Sequence, residues 1–215
     1  MARRAPVYLL IDCSGSMSGE PIESVSTGLK TVIDALRSDP ESLEKAHLSI
    51  ITFSDKAEMI IPLTPVTAIQ PPELKADGTT AMGDALRILN ESLDKDIIEN
   101  NKEGNVKGDY KAFVLLLTDG NPTDEAELNK QLGLLNRKKI KYFVGAAVPG
   151  ANKKFLEKAT GNAENVIELS VANKNSFIRF FEWVSQSISA SIPIENPNGD
   201  IGELPPFAED EVQLY

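Results

Sequence analysis

Val7-Tyr8-Leu9-Leu10-Ile11-Asp12-Cys13-Ser14-Gly15-Ser16 runs from five consecutive apolar residues straight into a carboxylate, two hydroxyls and a glycine. An unbroken apolar run of this kind predicts a strand buried on both faces, and the polar turn behind it is where such a strand hands over to a helix. The same arrangement recurs along the chain. His47 to Phe53, Ala112 to Leu117 and Tyr142 to Val148 are compact runs rich in β-branched and aromatic residues, which favour strands. Between them lie segments of helical period. Ile22, Val25, Leu29, Val32 and Leu36 share one face, as do Met82, Leu86, Leu89 and Leu93,. Leu128, Leu132 and Leu135 repeat the pattern behind Asp124 and Glu127, which are spaced as a capping box,. Phe177, Phe181, Val184, Ile188 and Ile192 give a last amphipathic helix.

Strands alternating with helices predict βαβ units, and so a doubly wound, Rossmann-like α/β fold with a mostly parallel central sheet and helices on both faces. Glu58 to Leu63 follows its strand after only Ser54-Asp55-Lys56-Ala57. That is too short for a crossover, so it predicts one antiparallel edge strand. Val166 to Leu169 supplies a final short strand, and Glu99 to Asp109, polar with two glycines, reads as a loop,. Gly28 is expected to let the first helix approach the sheet closely,. From Pro193 onward the character changes. Four prolines and the acidic residues Glu195, Asp200, Glu203, Glu209, Asp210 and Glu211 appear, with no lysine or arginine. Residues 1–192 therefore read as one domain and 193–215 as an acidic, Pro-containing tail outside the core.

The 215 residues carry 32 acidic and 22 basic side chains, a net charge of −10. That balance disfavours nucleic-acid phosphates and anionic membrane surfaces as partners. A single cysteine, Cys13, excludes an internal disulfide framework and suits a reducing compartment,. Val7 to Ile11 is too short for the core of a signal peptide, and the longest apolar run, Ala112 to Leu117, is far below the ~18 residues of a membrane span,. The expected location is the cytoplasm.

In an open α/β sheet, ligands bind beyond the carboxyl ends of the strands, near the point where strand order reverses. Three loops reach that edge. Asp12-Cys13-Ser14-Gly15-Ser16 follows the first strand, Thr118-Asp119-Gly120 follows Ala112 to Leu117, and Asp77-Gly78-Thr79-Thr80 precedes a helix. Each alone also fits a helix cap or a turn. Together they offer two carboxylates and several hydroxyls with no thiolate or imidazole, a hard-oxygen set that suits Mg²⁺ and disfavours zinc. Ser14, Ser16 and Thr80 would ligate through hydroxyls, while Asp12 and Asp119 bind directly or hold the metal's waters. One position would stay open for an outside ligand. Cys13, between two proposed ligands, is expected to point inward, and His47 is read as structural or exposed. Asp84, one turn beyond Thr80, either supports the site or is a solvated helix residue.

Asp12-x-Ser14-x-Ser16, Thr80 in Gly-Thr-Thr-Ala-Met-Gly-Asp-Ala-Leu and Asp119 in Leu-Leu-Thr-Asp-Gly resemble the metal-ion-dependent adhesion site of von Willebrand factor A domains, over roughly Pro6 to Ile192. Thr79 stands where relatives often have glycine; Thr80 is taken as the matching residue because Ala81, Met82, Gly83, Ala85 and Leu86 then fall where the family's following helix expects them. Tyr-Leu-Leu-Ile-Asp-Cys-Ser-Gly-Ser-Met and Leu-Thr-Asp-Gly-Asn-Pro-Thr-Asp are similar to bacterial tellurium-resistance TerY proteins. The resemblance implies a non-enzymatic adaptor or scaffold of a tellurite-resistance or stress-response system. In it Mg²⁺, or Mn²⁺, bridges to an acidic residue of a partner protein, with a kinase and a phosphatase among the associated partners. A tail carboxylate presented to a neighbouring copy's metal would give self-association. Two rival readings remain. One is a Mg²⁺-dependent phosphohydrolase using Asp12, against which Ser14 stands where a second aspartate is expected. The other is a von Willebrand factor A subunit of an AAA+ ATPase assembly.

Overall fold

The structure, a computed structural model, describes residues 3–100, 107–169, 173–193 and 203–207. In chain order the elements are β1 (Ala5–Asp12), α1 (Glu20–Ser38), α2 (Pro40–Lys45), β2 (Ala46–Phe53), β3 (Ala57–Pro65), α3 (Met82–Asp96), β4 (Ala112–Thr118), α4 (Glu125–Leu134), β5 (Ile140–Ala147), α5 (Lys153–Thr160), β6 (Val166–Glu168) and α6 (Lys174–Ser191). The strands form one six-stranded sheet in the order β3-β2-β1-β4-β5-β6. All neighbours are parallel except β2 and β3, which pair antiparallel through the short turn after Phe53. Strand order reverses between β1 and β4, so that pair marks the switch point,.

Side chains alternate across the sheet as the two-residue strand period requires. Val7, Leu9 and Ile11 of β1 point into the layer with α1 and α6. Tyr8 and Leu10 point into the opposite layer, where Leu86 and Leu89 of α3, Leu128 of α4 and Leu156 of α5 close the core. Every residue of β1 and β4 is buried, which explains why both read as unbroken apolar runs.

Two helices escape the periodicity argument because they are too short to show it. α2 has six residues and is set by Pro40 at its start and by Asp39, whose carboxylate accepts from Ser42 N at 2.9 Å,. α5 has eight residues, opens on Asn152 and ends at Gly161, whose φ of +78° is the left-handed conformation that closes helices,. Two local expectations are corrected. Asp124 does not cap its own helix α4; its carboxylate accepts from Gly83 N at 2.9 Å and Asp84 N at 2.8 Å, and so caps α3. Ala81 stands at the start of α3 and has no side-chain acceptor of its own, which leaves those N–H groups for Asp124,. Gly28 does admit a close approach, but of Phe181 on α6: a Cβ there would fall 1.9 Å from that ring.

At the far end of the sheet Arg4 acts as a clasp. Its Nε and Nη2 donate to the two carboxylate oxygens of Asp109 at 2.9 and 2.6 Å, and Nη2 also donates to Asp96 O at 2.6 Å. Asp109 N donates to Ile98 O, and Ile98 N donates back to Asp109 Oδ2, both at 2.8 Å. The ends of the Glu99 to Asp109 loop are thereby tied together, while residues 101–106 lie outside the described residues. Of the acidic tail residues only Glu203 is described. Part of the tail nevertheless meets the core. Leu204 and Phe207 pack against the layer of α1 and α6, because two apolar side chains inside an acidic stretch still find an apolar surface,.

Gly83 lies against the backbone of α4, where a Cβ would come within 2.3 Å of Leu128 N. Gly83→Ala is therefore expected to force α3 and α4 apart and to lower stability by about 1–3 kcal/mol. Urea unfolding followed by circular dichroism measures this, and an unchanged midpoint would contradict the packing described.

Candidate metal centre

The three polar loops meet at the carboxyl ends of β1 and β4. Asp12 is the last residue of β1 and has no exposed surface. Its Oδ1 accepts from Ser14 N at 2.8 Å and its Oδ2 accepts from the Thr118 hydroxyl at the end of β4. Both carboxylate oxygens are thus engaged, one by its own loop and one by the neighbouring strand. Beyond them, the hydroxyls of Ser14 and Ser16 lie 3.0 Å apart, and Ser16 Oγ donates to Asp119 Oδ1 at 2.7 Å. Gly120 closes the group. A Cβ on it would come within 3.2 Å of Thr80 Oγ1 and 3.9 Å of Asp12 Oδ2, so Thr80 and Asp12 flank the same small space.

The Thr80 loop is fastened from both sides. Gly15 N donates to Gly78 O at 3.0 Å and Asp77 N donates to Cys13 O at 2.9 Å, stitching it to the loop after β1. Asp55, in the β2–β3 turn, accepts from Thr79 N at 2.8 Å. Gly78 has a φ of +76°, and a side chain there would strike the Asp55 carboxylate, so glycine is required on two counts. On the far side Thr123 N donates to Thr80 O at 2.9 Å. Thr80 ends up buried, with 6% exposure, whereas Thr79 is exposed and its hydroxyl lies 3.5 Å from that of Thr123. The structure therefore brings Asp12, Ser14, Ser16, Thr80 and Asp119 together and turns Thr79 away.

Sequence reasoning missed Thr118, Asp55 and Asp124, which orient the site without lining it. Thr118 was legible as a hydroxyl at a strand end. Nothing in the order of residues links Asp55 to Thr79 or Asp124 to α3. Asp84 faces the β2–β3 turn, where Oδ2 accepts from Ala57 N at 2.8 Å and Oδ1 accepts from Arg87. It braces the hairpin.

Burial pushes the Asp12 carboxyl above the usual carboxylate range, against the hydrogen bonds from Ser14 and Thr118, and the charge of Asp119 adds to the rise. Burial raises Asp119 as well, with the Ser16 hydroxyl opposing it. No lysine or arginine offsets either carboxylate among the described residues. A fully buried carboxylate with a half-buried second one beside it, and no cation, is costly,, and a divalent ion among five oxygen-bearing side chains would relieve that cost. The donor set fits such an ion. Among the described residues no group of three or more His, Cys, Asp or Glu is placed to hold a metal, so a site here depends on its hydroxyls.

Sheet order, switch-point site and an all-oxygen donor set together define an α/β binding domain with a metal-competent edge. The chain belongs to the von Willebrand factor type A domain family, whose model matches residues 7–181. An uncharacterized protein of Synechocystis is 33% identical over 127 residues, covering 55% of this chain. The chain spans only 26% of that relative's length. Among solved structures, the pilus adhesin SpaC from Lactobacillus rhamnosus GG superposes with a TM-score of 0.71 at 13% identity, over 89% of this chain and 31% of that one. Proximal thread matrix protein 1 from the mussel byssus, with a zinc-occupied metal-ion-dependent adhesion site, gives a TM-score of 0.59 at 20% identity. That match covers 86% of this chain and 45% of the mussel chain. No helix among the described residues is long and apolar enough to cross a membrane.

Cys13 points away from the hydroxyls into the core beside α1, and burial raises its thiol to about 12. At pH 8 the thiolate is then scarce, and the thiolate is the reactive form. Iodoacetamide at that pH is expected to leave the native protein unlabelled and to label it rapidly in guanidinium. Fast labelling of folded protein, read by mass spectrometry, would mean that the end of β1 opens.

Proposed function

We propose that the chain is a non-enzymatic protein-interaction module whose metal bridges to a carboxylate of a partner protein. The observation that carries this reading is the buried Asp12 and half-buried Asp119 beside three convergent hydroxyls, with no lysine or arginine offsetting either carboxylate among the described residues. Ser14, Ser16 and Thr80 would hold Mg²⁺ through their hydroxyls, and Asp12 and Asp119 would balance its charge directly or through water. The bound metal supplies a Lewis-acidic position for an outside oxygen ligand, and an Asp or Glu side chain is the matching protein group. This chain's own residues do the rest: Thr118 and the Ser14 amide fix the Asp12 carboxylate, and the Asp55 and Thr123 contacts fix the Thr80 loop.

The pilus adhesin and the byssus protein are relatives in fold whose names describe adhesion and matrix roles. They support an interaction role in kind. The zinc in the byssus protein also keeps zinc in the comparison with Mg²⁺ and Mn²⁺, although hard oxygen donors favour Mg²⁺ here. The motif resemblance to TerY proteins supports a bacterial tellurite-resistance or stress-response setting, with a kinase and a phosphatase as candidate partners. An aspartyl-phosphate mechanism is disfavoured because Ser14 stands where a second aspartate is expected two positions after the nucleophile,.

Calorimetric titration with Mg²⁺, Mn²⁺ and Zn²⁺, followed by a glutamate-rich peptide, tests the reading. Saturable metal binding that is lost in Asp12→Ala and Ser14→Ala, and peptide binding abolished by EDTA, are expected. Metal-independent peptide binding, or turnover of a generic phosphate ester, would overturn it.

Metal should also stabilise the fold, by about 2.7 kcal/mol at a hundredfold excess over Kd. The pH dependence has a definite sign. Asp12 and Asp119 have raised carboxyls, so the metal-free native state holds protons more tightly than the unfolded chain. Its stability therefore declines as pH rises from the ordinary carboxylate range through the raised one. Metal must displace those protons, so the Mg²⁺-induced rise in Tm is expected to be larger at pH 7.5 than at pH 5. An increment independent of pH would place the metal elsewhere.

A further inference from the structure

Away from the metal edge, the described part of the tail lies over a groove between α6 and β6. The groove has a volume of about 440 Å³ and is lined by Val144, Val166, Ile167 and Trp183 on the domain side and by Leu204 to Phe207 on the tail side. Phe207 sits in a notch of two rings. Its centroid is 5.8 Å from that of Trp183 at 76° and 6.2 Å from that of Phe180 at 80°, both edge-to-face, the arrangement in which a positive ring edge meets a negative ring face. Trp183 Nε1 donates to Pro205 O at 2.7 Å. An indole N–H is a donor with no acceptor capacity, and a proline carbonyl is a strong acceptor on a residue whose φ is already fixed. An aromatic notch with an indole donating to a proline carbonyl is the chemistry by which proline-rich peptides are recognised.

From this geometry we infer that the α6–β6 groove is a binding site for Leu-Pro-Pro-Phe-type peptide segments, which the chain fills in cis with its own residues 204–207. Three observations support a detachable occupant. The polar anchor of the segment is the hydrogen bond from Trp183, and Leu204 and Phe207 pack on the apolar core while Glu164, Asn165 and Glu168 line the groove's polar wall. Leu204, Pro205 and Phe207 are only half-buried and Pro206 is exposed, unlike the fully buried Phe180 beneath them. Open volume remains beside the segment. Pro205 and Pro206 lower the entropy lost on docking, so a short contact of this kind holds, and a competing segment of the same chemistry would have to displace it. This site stands independently of the metal, since none of its residues is a proposed ligand.

Trp183 is the protein's single tryptophan, and it is 8% exposed beneath the tail, so its fluorescence reports on the groove. In the double variant Leu204→Ser with Phe207→Ala of the 215-residue chain, measured in EDTA, Trp183 emission is expected to shift to the red and its quenching by acrylamide to increase. A synthetic peptide of residues 201–209 added in trans should reverse both changes saturably, and the same peptide with Phe207→Ala should not. Wild-type protein should bind the peptide at least ~10-fold more weakly, because its groove is already occupied. Far-UV circular dichroism checks that the double variant is folded. The milder Phe207→Leu, read by the same quenching, serves if it is not. No recovery with peptide in a folded variant, or equal binding by wild type and variant, would overturn the inference.

Discussion

The two oxygens of Asp12 hold together the part of this molecule on which everything else turns. One accepts from the Ser14 amide and shapes the loop after β1; the other accepts from Thr118 and joins that loop to the end of β4. β1 and β4 are the parallel neighbours at which the sheet reverses direction, so this single carboxylate spans the switch point. A carboxylate in so dry a position is held at a cost, which burial imposes and hydrogen bonds only partly offset. The fold therefore carries at its upper edge a local excess of negative charge that no lysine or arginine among the described residues offsets.

The surroundings make that cost tolerable. β1 and β4 are fully buried strands with apolar neighbours on both faces, so the loops they end in start from fixed points. The Thr80 loop, which has no such strand beneath it, is instead held by the backbone of the Cys13 loop, by Asp55 and by Thr123. Asp124 caps α3 from the next helix and so links the segment that carries Thr80 to the segment that follows Asp119. Three loops from distant stretches of chain thus behave as one rim.

Most of this is legible in the order of residues. The four long apolar runs each form a strand of the sheet, and Glu58 to Leu63 forms the antiparallel edge because four intervening residues permit nothing else. The five oxygen-bearing residues converge because each follows or precedes an element whose place in a doubly wound sheet is determined. What the sequence hides is tertiary in origin. A six-residue or eight-residue helix shows no period to detect, as α2 and α5 illustrate. A cap supplied across helices, such as Asp124 on α3, looks identical in sequence to a cap on its own helix. The choice of Phe181 as the neighbour of Gly28 depends on how α1 crosses α6, which spacing alone does not encode. Leu204 and Phe207 are concealed by the acidic residues around them, because composition averages away two apolar contacts.

The clasp at the opposite end has a practical corollary for engineering. Arg4, Asp109 and Ile98 bring the two ends of the loop between α3 and β4 into mutual hydrogen bonds, so the loop is closed at its base. The entropy of closing a longer loop grows only slowly with its length. A fluorescent protein or affinity tag spliced between Asn100 and Lys107 would hang from a fixed stalk at the amino ends of the strands. The oxygen-lined rim, at the carboxyl ends of the strands, would remain unobstructed for reporter assays.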